Sequence, residues 1–238
     1  MSSVAGGGVA GERTRLSPLQ KMTIERLRQG QEGKVPVTLA AEARADALLA
    51  ARTRAREAGD KTTTITALVA FVLVRTLREN PALNAALVDD DSIVRYADVN
   101  LGVAVALPDD NLSVPVIRGA QELSLLELGA AIADVSERAR TRKLGLDDVH
   151  GGTFTLSSTG SVGLPIFGTP LLVPGQSGIL LVGAAAARPV VDNGRTAVGQ
   201  VLPLSLTFDH AVVNGIPALR FLSELVAGIE QLGSTEEA

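Results

Sequence analysis

Hydrophobic positions along the chain recur with two periods, one of three to four residues and one of two. From Arg13 to Gly30, the apolar residues Leu16, Leu19, Met22, Ile24 and Leu27 alternate with basic and polar ones, which predicts an amphipathic helix ended by Gly30. Val35 to Leu39 is a short β-type run, and Ala43 to Glu57 reads as a charged, alanine-rich helix stopping near Gly59. Ile65 to Val74 is apolar on every side, the mark of a buried helix; Thr62-Thr63-Thr64 offers its cap and it runs to about Arg78. Asn80-Pro81-Ala82-Leu83-Asn84 reads as a turn into a further helical piece.

Beyond the acidic cluster Asp89 to Asp91, period-two stretches predict strands at Ile93 to Tyr96, Leu101 to Leu107 and Ser113 to Ile117. The last two are joined by a hairpin-like turn at Pro108 to Asn111. Ser124 to Lys143 is a second long amphipathic helix, with Ser124 and Glu127 spaced as a capping box. Thr153 to Ser158 is a strand that opens into a glycine-dense loop through Gly175. Gly178 to Gly183, Val190-Val191 and Val198 to Phe208 supply further strands before a closing helix from Ile216 to Leu232. Neither an internal repeat nor an interdomain linker interrupts this order. The reading is one α/β domain over 13–232, between a flexible tail at 1–12 and a polar tail at 233–238. Its strands and helices mix without the regular alternation of a doubly wound fold.

Composition narrows the chemistry. The 238 residues are 46% hydrophobic and 20% charged, with a net charge of −4 that argues against a nucleic-acid partner. Absence of cysteine removes disulfides and thiol nucleophiles, and with two histidines it argues against a zinc site. The longest apolar stretch is too short to span a bilayer and Met1 to Gly11 does not read as a signal peptide, so a cytoplasmic protein without membrane partners is expected. The acidic clusters read as solvated turns. Gly160-Ser161-Val162-Gly163 fits neither a P-loop nor a dinucleotide fingerprint, and His150, beside Gly151-Gly152, reads as structural.

Two segments carry chemical potential. His210 follows the strand ending in Thr207-Phe208-Asp209 and precedes the closing helix, so a strand-to-helix turn presents it to a cleft, where an imidazole can act as general base. The plainer alternative is a histidine that caps a strand end. Ser157, in Thr153-Phe154-Thr155-Leu156-Ser157-Ser158, ends a strand and can donate to a developing oxyanion; the alternative is a hydroxyl that satisfies its own backbone. The segment is not a nucleophile elbow, since G-x-S-x-G is absent.

These segments and their order resemble the catalytic domain of the dihydrolipoamide acyltransferases, the E2 components of 2-oxo acid dehydrogenase complexes. That group is related in fold to chloramphenicol acetyltransferase. The resemblance runs from about Arg13 to Leu232 and rests on Asn80-Pro81-Ala82-Leu83-Asn84, Val114-Pro115-Val116-Ile117-Arg118, Gly151-Gly152-Thr153-Phe154-Thr155-Leu156-Ser157 and Leu202-Pro203-Leu204-Ser205-Leu206-Thr207-Phe208-Asp209-His210. It implies a two-layer α/β sandwich with a mixed sheet, assembled as homotrimers whose active sites lie between subunits. It implies acetyl-CoA or another acyl-CoA as co-substrate, no covalently bound cofactor, and a small-molecule or acyl-carrier-bound acceptor. By the same resemblance His210 matches the base, Ser157 the oxyanion donor, and Asn214 the usual aspartate of D-H-R-x-x-D-G.

Departures accompany the match. Ala211 stands where the motif has an arginine, and alanine cannot replace a planar bidentate donor. Asn214 can hydrogen-bond but carries no charge, and the family's N-x-P-E-x-A-I-L becomes Val173-Pro174-Gly175-Gln176-Ser177-Gly178-Ile179-Leu180. Only about twelve residues precede the domain, so no lipoyl arm in cis is expected. Three readings follow. The first is a stand-alone acyltransferase acting on a hydroxyl, similar to the O-acetyltransferases of tetronate biosynthesis. The second is an E2 core moving acyl groups from dihydrolipoamide to coenzyme A, and the third is an inactive scaffold.

Overall fold

The elements, in a computed structural model, begin with helix α1 (Pro18–Gln31), strand β1 (Pro36–Arg44), α2 (Asp46–Glu57), α3 (Ile65–Glu79), β2 (Ala85–Val88), β3 (Ser92–Arg95) and β4 (Leu101–Ala106). They continue with β5 (Leu112–Ser113), β6 (Val116–Ile117), α4 (Leu125–Arg140), β7 (Phe154–Ser158), β8 (Gly178–Val182), β9 (Ala186–Asp192), β10 (Arg195–Asp209) and α5 (Gly215–Gln231). Residues 14–89, 91–108, 111–160 and 163–232 are described. The expected tails at 1–12 and 233–238 lie outside the described residues, as do Asp90, Asp109, Asp110, Ser161 and Val162.

The main sheet has the order β1-β10-β8-β7-β4-β5, with β6 also on β4 and β9 also on β10; β2 and β3 form a separate hairpin. The pairs β4–β7 and β7–β8 are parallel and the remaining pairs antiparallel, so the sheet is mixed, as expected. Strand β1 outruns its sequence signal. Ala40 to Arg44 have helical composition, yet every residue from Pro36 to Arg44 pairs with β10 from Asp209 back to Val201, and that ladder overrides local preference. Helix α2 therefore starts three residues later than its charged pattern suggested. The strand read over Ser113 to Ile117 is divided at Pro115, which has no N–H to continue a ladder. No helical piece follows Asn80-Pro81. Instead the Asn84 side chain donates to the Tyr96 and Asp98 carbonyls at 3.1 and 2.9 Å, fastening the β2–β3 hairpin.

Helices α2 to α5 cover one face of the sheet. Helix α3 lies between α4 and α5 and is buried from Ala67 to Val74 and at Thr76 and Leu77, as its all-round apolar pattern required. Thr64 caps it by accepting the Ala67 N–H at 3.1 Å. Just before it, the Asp60 carboxylate accepts the Thr63 and Thr62 hydroxyls, which hold its pKa down to about 2. Phe154, Phe208 and Phe221 are fully buried at the centre.

Helix α1 lies across the other face. Ser17 and Gln20 form its capping box. Gly30 does not stop the helix, which continues to Gln31. The residue is buried, and a Cβ there would meet the Leu172 carbonyl oxygen at 2.2 Å. The glycine lets the helix backbone approach the loop ahead of β8. Gly30→Ala gains up to about 1 kcal/mol of helix propensity but must displace that loop. The net outcome expected is a loss of about 1–3 kcal/mol, the usual cost of overpacking, read as a lower denaturant midpoint. A raised midpoint would show that the approach is not a constraint.

Candidate functional site

Strand β7 separates its two terminal serines by alternation. Phe154 and Leu156 point into the helical core, while Thr155 and Ser157 share the opposite face. Ser158 turns back to the helix side, where its hydroxyl accepts from Thr66 at 3.2 Å. Ser157 instead lines a cavity of about 380 Å³ with Met22 and Leu27 of α1, Ala104 of β4, Val114 and Leu172. Buried Thr155 donates to Gln176 Oε1 at 2.6 Å, fixing the loop before β8 over that face. A wider cleft of about 730 Å³ adjoins it, shares Met22, Arg26 and Val114, and adds Lys21, His150 and Gly151. His150 closes a short 3-10 turn with Nδ1 2.6 Å from the Leu146 carbonyl.

His210 stands at the end of β10, exposed, its ring tilted 33° against Phe208 with centroids 5.8 Å apart. The turn that carries it is built by Asp209, which is fully buried. Asp209 Oδ1 accepts the Val35 and Ala211 N–H groups at 3.0 Å each, and its carbonyl accepts those of Val212 and Val213. The His210 N–H donates to the Val35 carbonyl at 2.8 Å. Opposite Oδ2 lies Lys34 Nζ at 3.8 Å, which also donates to the Gln176 carbonyl at 2.8 Å. Burial pushes the Lys34 ammonium down from its ordinary pKa, and the Asp209 charge pulls it back up. Asn214 is the N-cap residue of α5. Its side chain makes no cap bond and is exposed, four residues beyond His210.

The structure does not bring His210 and Ser157 together within one chain. Ser157 pairs with Leu181 and Leu181 with Ser205, so His210 lies two strands across and five residues along from Ser157. At about 3.3 Å per residue and about 4.8 Å per strand, the two Cα atoms are roughly 19 Å apart. Sequence reasoning missed Lys34 and Gln176 as neighbours of this apparatus. Gln176 fell in a segment read as altered, whereas nothing in the sequence around Lys34 marks it, because only the β1–β10 register puts it opposite Asp209.

A mixed sheet with helices α2 to α5 on one face and a cleft on the other, beneath α1, places the chain in the chloramphenicol acetyltransferase-like fold class. Chloramphenicol acetyltransferase itself shares the fold at a TM-score of 0.54 and 15% identity, over 87% of this chain and 92% of that one. Within that class, the chain belongs to the 2-oxoacid dehydrogenases acyltransferase (catalytic domain) family, whose model matches residues 9–235. The dihydrolipoyllysine-residue acetyltransferase component of the acetoin cleaving system of Bacillus subtilis is 39% identical over 168 residues, covering 71% of this chain and 42% of that protein. The succinyltransferase component of the bovine (Bos taurus) mitochondrial 2-oxoglutarate dehydrogenase complex is 33% identical over 232 residues, 95% of this chain and 50% of that one. The chain thus spans about half the length, or less, of these two curated relatives. A solved dihydrolipoamide acetyltransferase of Azotobacter vinelandii superposes with a TM-score of 0.87 at 32% identity, covering 94% and 93% of the two chains. That structure came from a study of a serine, a histidine and an asparagine in its catalytic mechanism.

Proposed function

We propose that the chain transfers acyl groups to or from coenzyme A at sites shared between subunits, with His210 as base, Ser157 as oxyanion donor and Asn214 orienting the histidine turn. The observation that carries this reading is the separation just described. His210 is exposed, its ring resting on Phe208, while Ser157 sits in an apolar cleft well beyond its reach. Both surfaces carry exposed apolar side chains: Ile216 and Leu219 follow His210, and Leu171 lines the cleft. Unlike surfaces that meet head to tail generate rings, and a homotrimer is the ring the family resemblance implies.

In that arrangement His210 takes the proton from the attacking thiol, and the sulfur adds to the thioester carbonyl carbon. The Ser157 hydroxyl donates to the resulting oxyanion. Collapse breaks the old carbon–sulfur bond, and the imidazolium returns its proton to the departing thiolate. The relatives favour a dihydrolipoyl thiol as the partner of coenzyme A. A hydroxyl acceptor, free or carrier-bound, is the second reading. It is favoured by Ala211 in place of the motif's arginine and by Gln176 in the altered loop against the cleft. Assay of acetyl-CoA against dihydrolipoamide and against hydroxylated small molecules separates them. Transfer to dihydrolipoamide alone supports the E2-type reading, transfer to hydroxyls alone the other, and transfer to neither removes both.

His210→Ala is expected to lower kcat by about 10²–10⁴, the usual contribution of a positioned base. Ser157→Ala is expected to cost about 3–4 kcal/mol of transition-state stabilisation, and Ser158→Ala, aimed at the helical core, far less. A larger loss at Ser158 would reverse the assignment. Because base and donor come from different subunits, co-expressing His210→Ala with Ser157→Ala chains should restore part of the activity. A monomer in analytical ultracentrifugation at micromolar concentration would overturn the shared site.

A further inference from the structure

Asp209 is fully buried, and a desolvated carboxylate requires compensation. Its Oδ1 is satisfied by the Val35 and Ala211 N–H groups. Its Oδ2 is equally buried but accepts no hydrogen bond. Lys34, whose side chain is 10% exposed, is the one cation within 4 Å of that carboxylate among the described residues. Position 211, the other near neighbour, holds alanine and offers none.

We propose that Lys34 is a positioning residue for His210: its ammonium, held between the Asp209 carboxylate and the Gln176 carbonyl, fixes the turn that presents the imidazole and ties that turn to the cleft containing Ser157. The path is continuous. His210 is clamped to Val35 through its own N–H, and Val35 and Ala211 are clamped to Asp209 Oδ1. Lys34 faces Oδ2 and donates at 2.8 Å to Gln176, whose side chain accepts from Thr155, two residues before Ser157 on the same face of β7. Loss of the cation leaves Asp209 with an uncompensated charge. Two responses relieve it: protonation of the carboxylate, or opening of the turn to water. Either loosens the N–H clamps on both sides of His210. This inference rests on His210 being the base, but part of its test does not.

The test compares Lys34→Met, Lys34→Gln and Lys34→Arg with the parent trimer, using acetyl-CoA and dihydrolipoamide for kinetics and amide hydrogen exchange at Ala211 and His210. Lys34→Met is expected to lower kcat about 10- to 100-fold, the range that misplacing a catalytic group by an ångström produces. KM for acetyl-CoA should stay within about twofold, since no contact with that substrate is removed. Exchange at Ala211 and His210 should quicken, and Lys34→Arg, which keeps the charge, should restore most of kcat and of the protection. If Lys34→Met does not fold, Lys34→Gln decides in the same way, because it keeps a donor for the Gln176 carbonyl and removes only the charge. A kcat within twofold of the parent, unchanged exchange, or an arginine variant no better than methionine would each overturn the proposal. Full turnover in His210→Ala would instead remove the base assignment, and the exchange rates would still judge Lys34.

Discussion

Strand β10 fixes where everything chemical in this chain can be. It pairs with β1 along nine residues, with β8 on its other edge, and with β9 at its outer end. A slip of one residue would exchange its two faces and carry Phe208 and Leu206 out of the core. The same register stops the strand at Asp209 with the carboxylate enclosed, so the next residue emerges at the surface. His210 is exposed because Asp209 is buried. The β8 pairing places Ser157 two strands away and toward the opposite end, so the distance between His210 and Ser157 is a property of the ladder and not of any loop.

Much of this was legible in the sequence where the local pattern and the tertiary environment agree. The buried helix α3, the Ser124–Glu127 capping box and the strand before His210 came from strong local signals, and all three are present. Local signals failed where a long-range ladder or a close contact decided. Ala40 to Arg44 look helical and are strand because β10 lies beside them; Gly30 looks like a helix stop and is a point of backbone approach. One signal was present and passed over. Asn193-Gly194, with φ of 47° and 75°, is the two-residue turn that joins β9 to β10, and that dipeptide between β-branched runs is a strong hairpin mark.

The candidate site shows why recognition of a motif and knowledge of its support are different things. Asp209, His210 and Asn214 sit within six residues and are read together. What holds them comes from Lys34 and Val35, just ahead of β1 and some 174 residues before Asp209, and from the loop ahead of β8. Asn214 illustrates the division. Its backbone starts α5, with its carbonyl accepting the Ala218 N–H at 3.3 Å, while its amide side chain is left free of the helix it begins. A cap residue that does not spend its side chain on capping has that side chain available for the surface carrying His210.

The surroundings of Ser157 and of His210 also differ in the solvent they offer. Ser157 lies against leucine, valine and methionine side chains, where a hydroxyl directed at a developing oxyanion acts in a low dielectric and is worth more than in water. His210 in a lone chain faces bulk water, where its hydrogen bond to an acceptor competes with solvent. Association of the base-bearing surface of one subunit with the cleft-bearing surface of another would remove that competition and complete the geometry in one step. The acceptor then sets how much the histidine must do. A thiol is far more acidic than an aliphatic hydroxyl and can yield its proton to an imidazole, whereas the hydroxyl gives up its proton only as the new bond forms. A turn held by one lysine at 3.8 Å from the carboxylate is a lighter restraint than a bidentate arginine pair. The thiol route therefore asks less of this site, and the hydroxyl route requires the more complete exclusion of water.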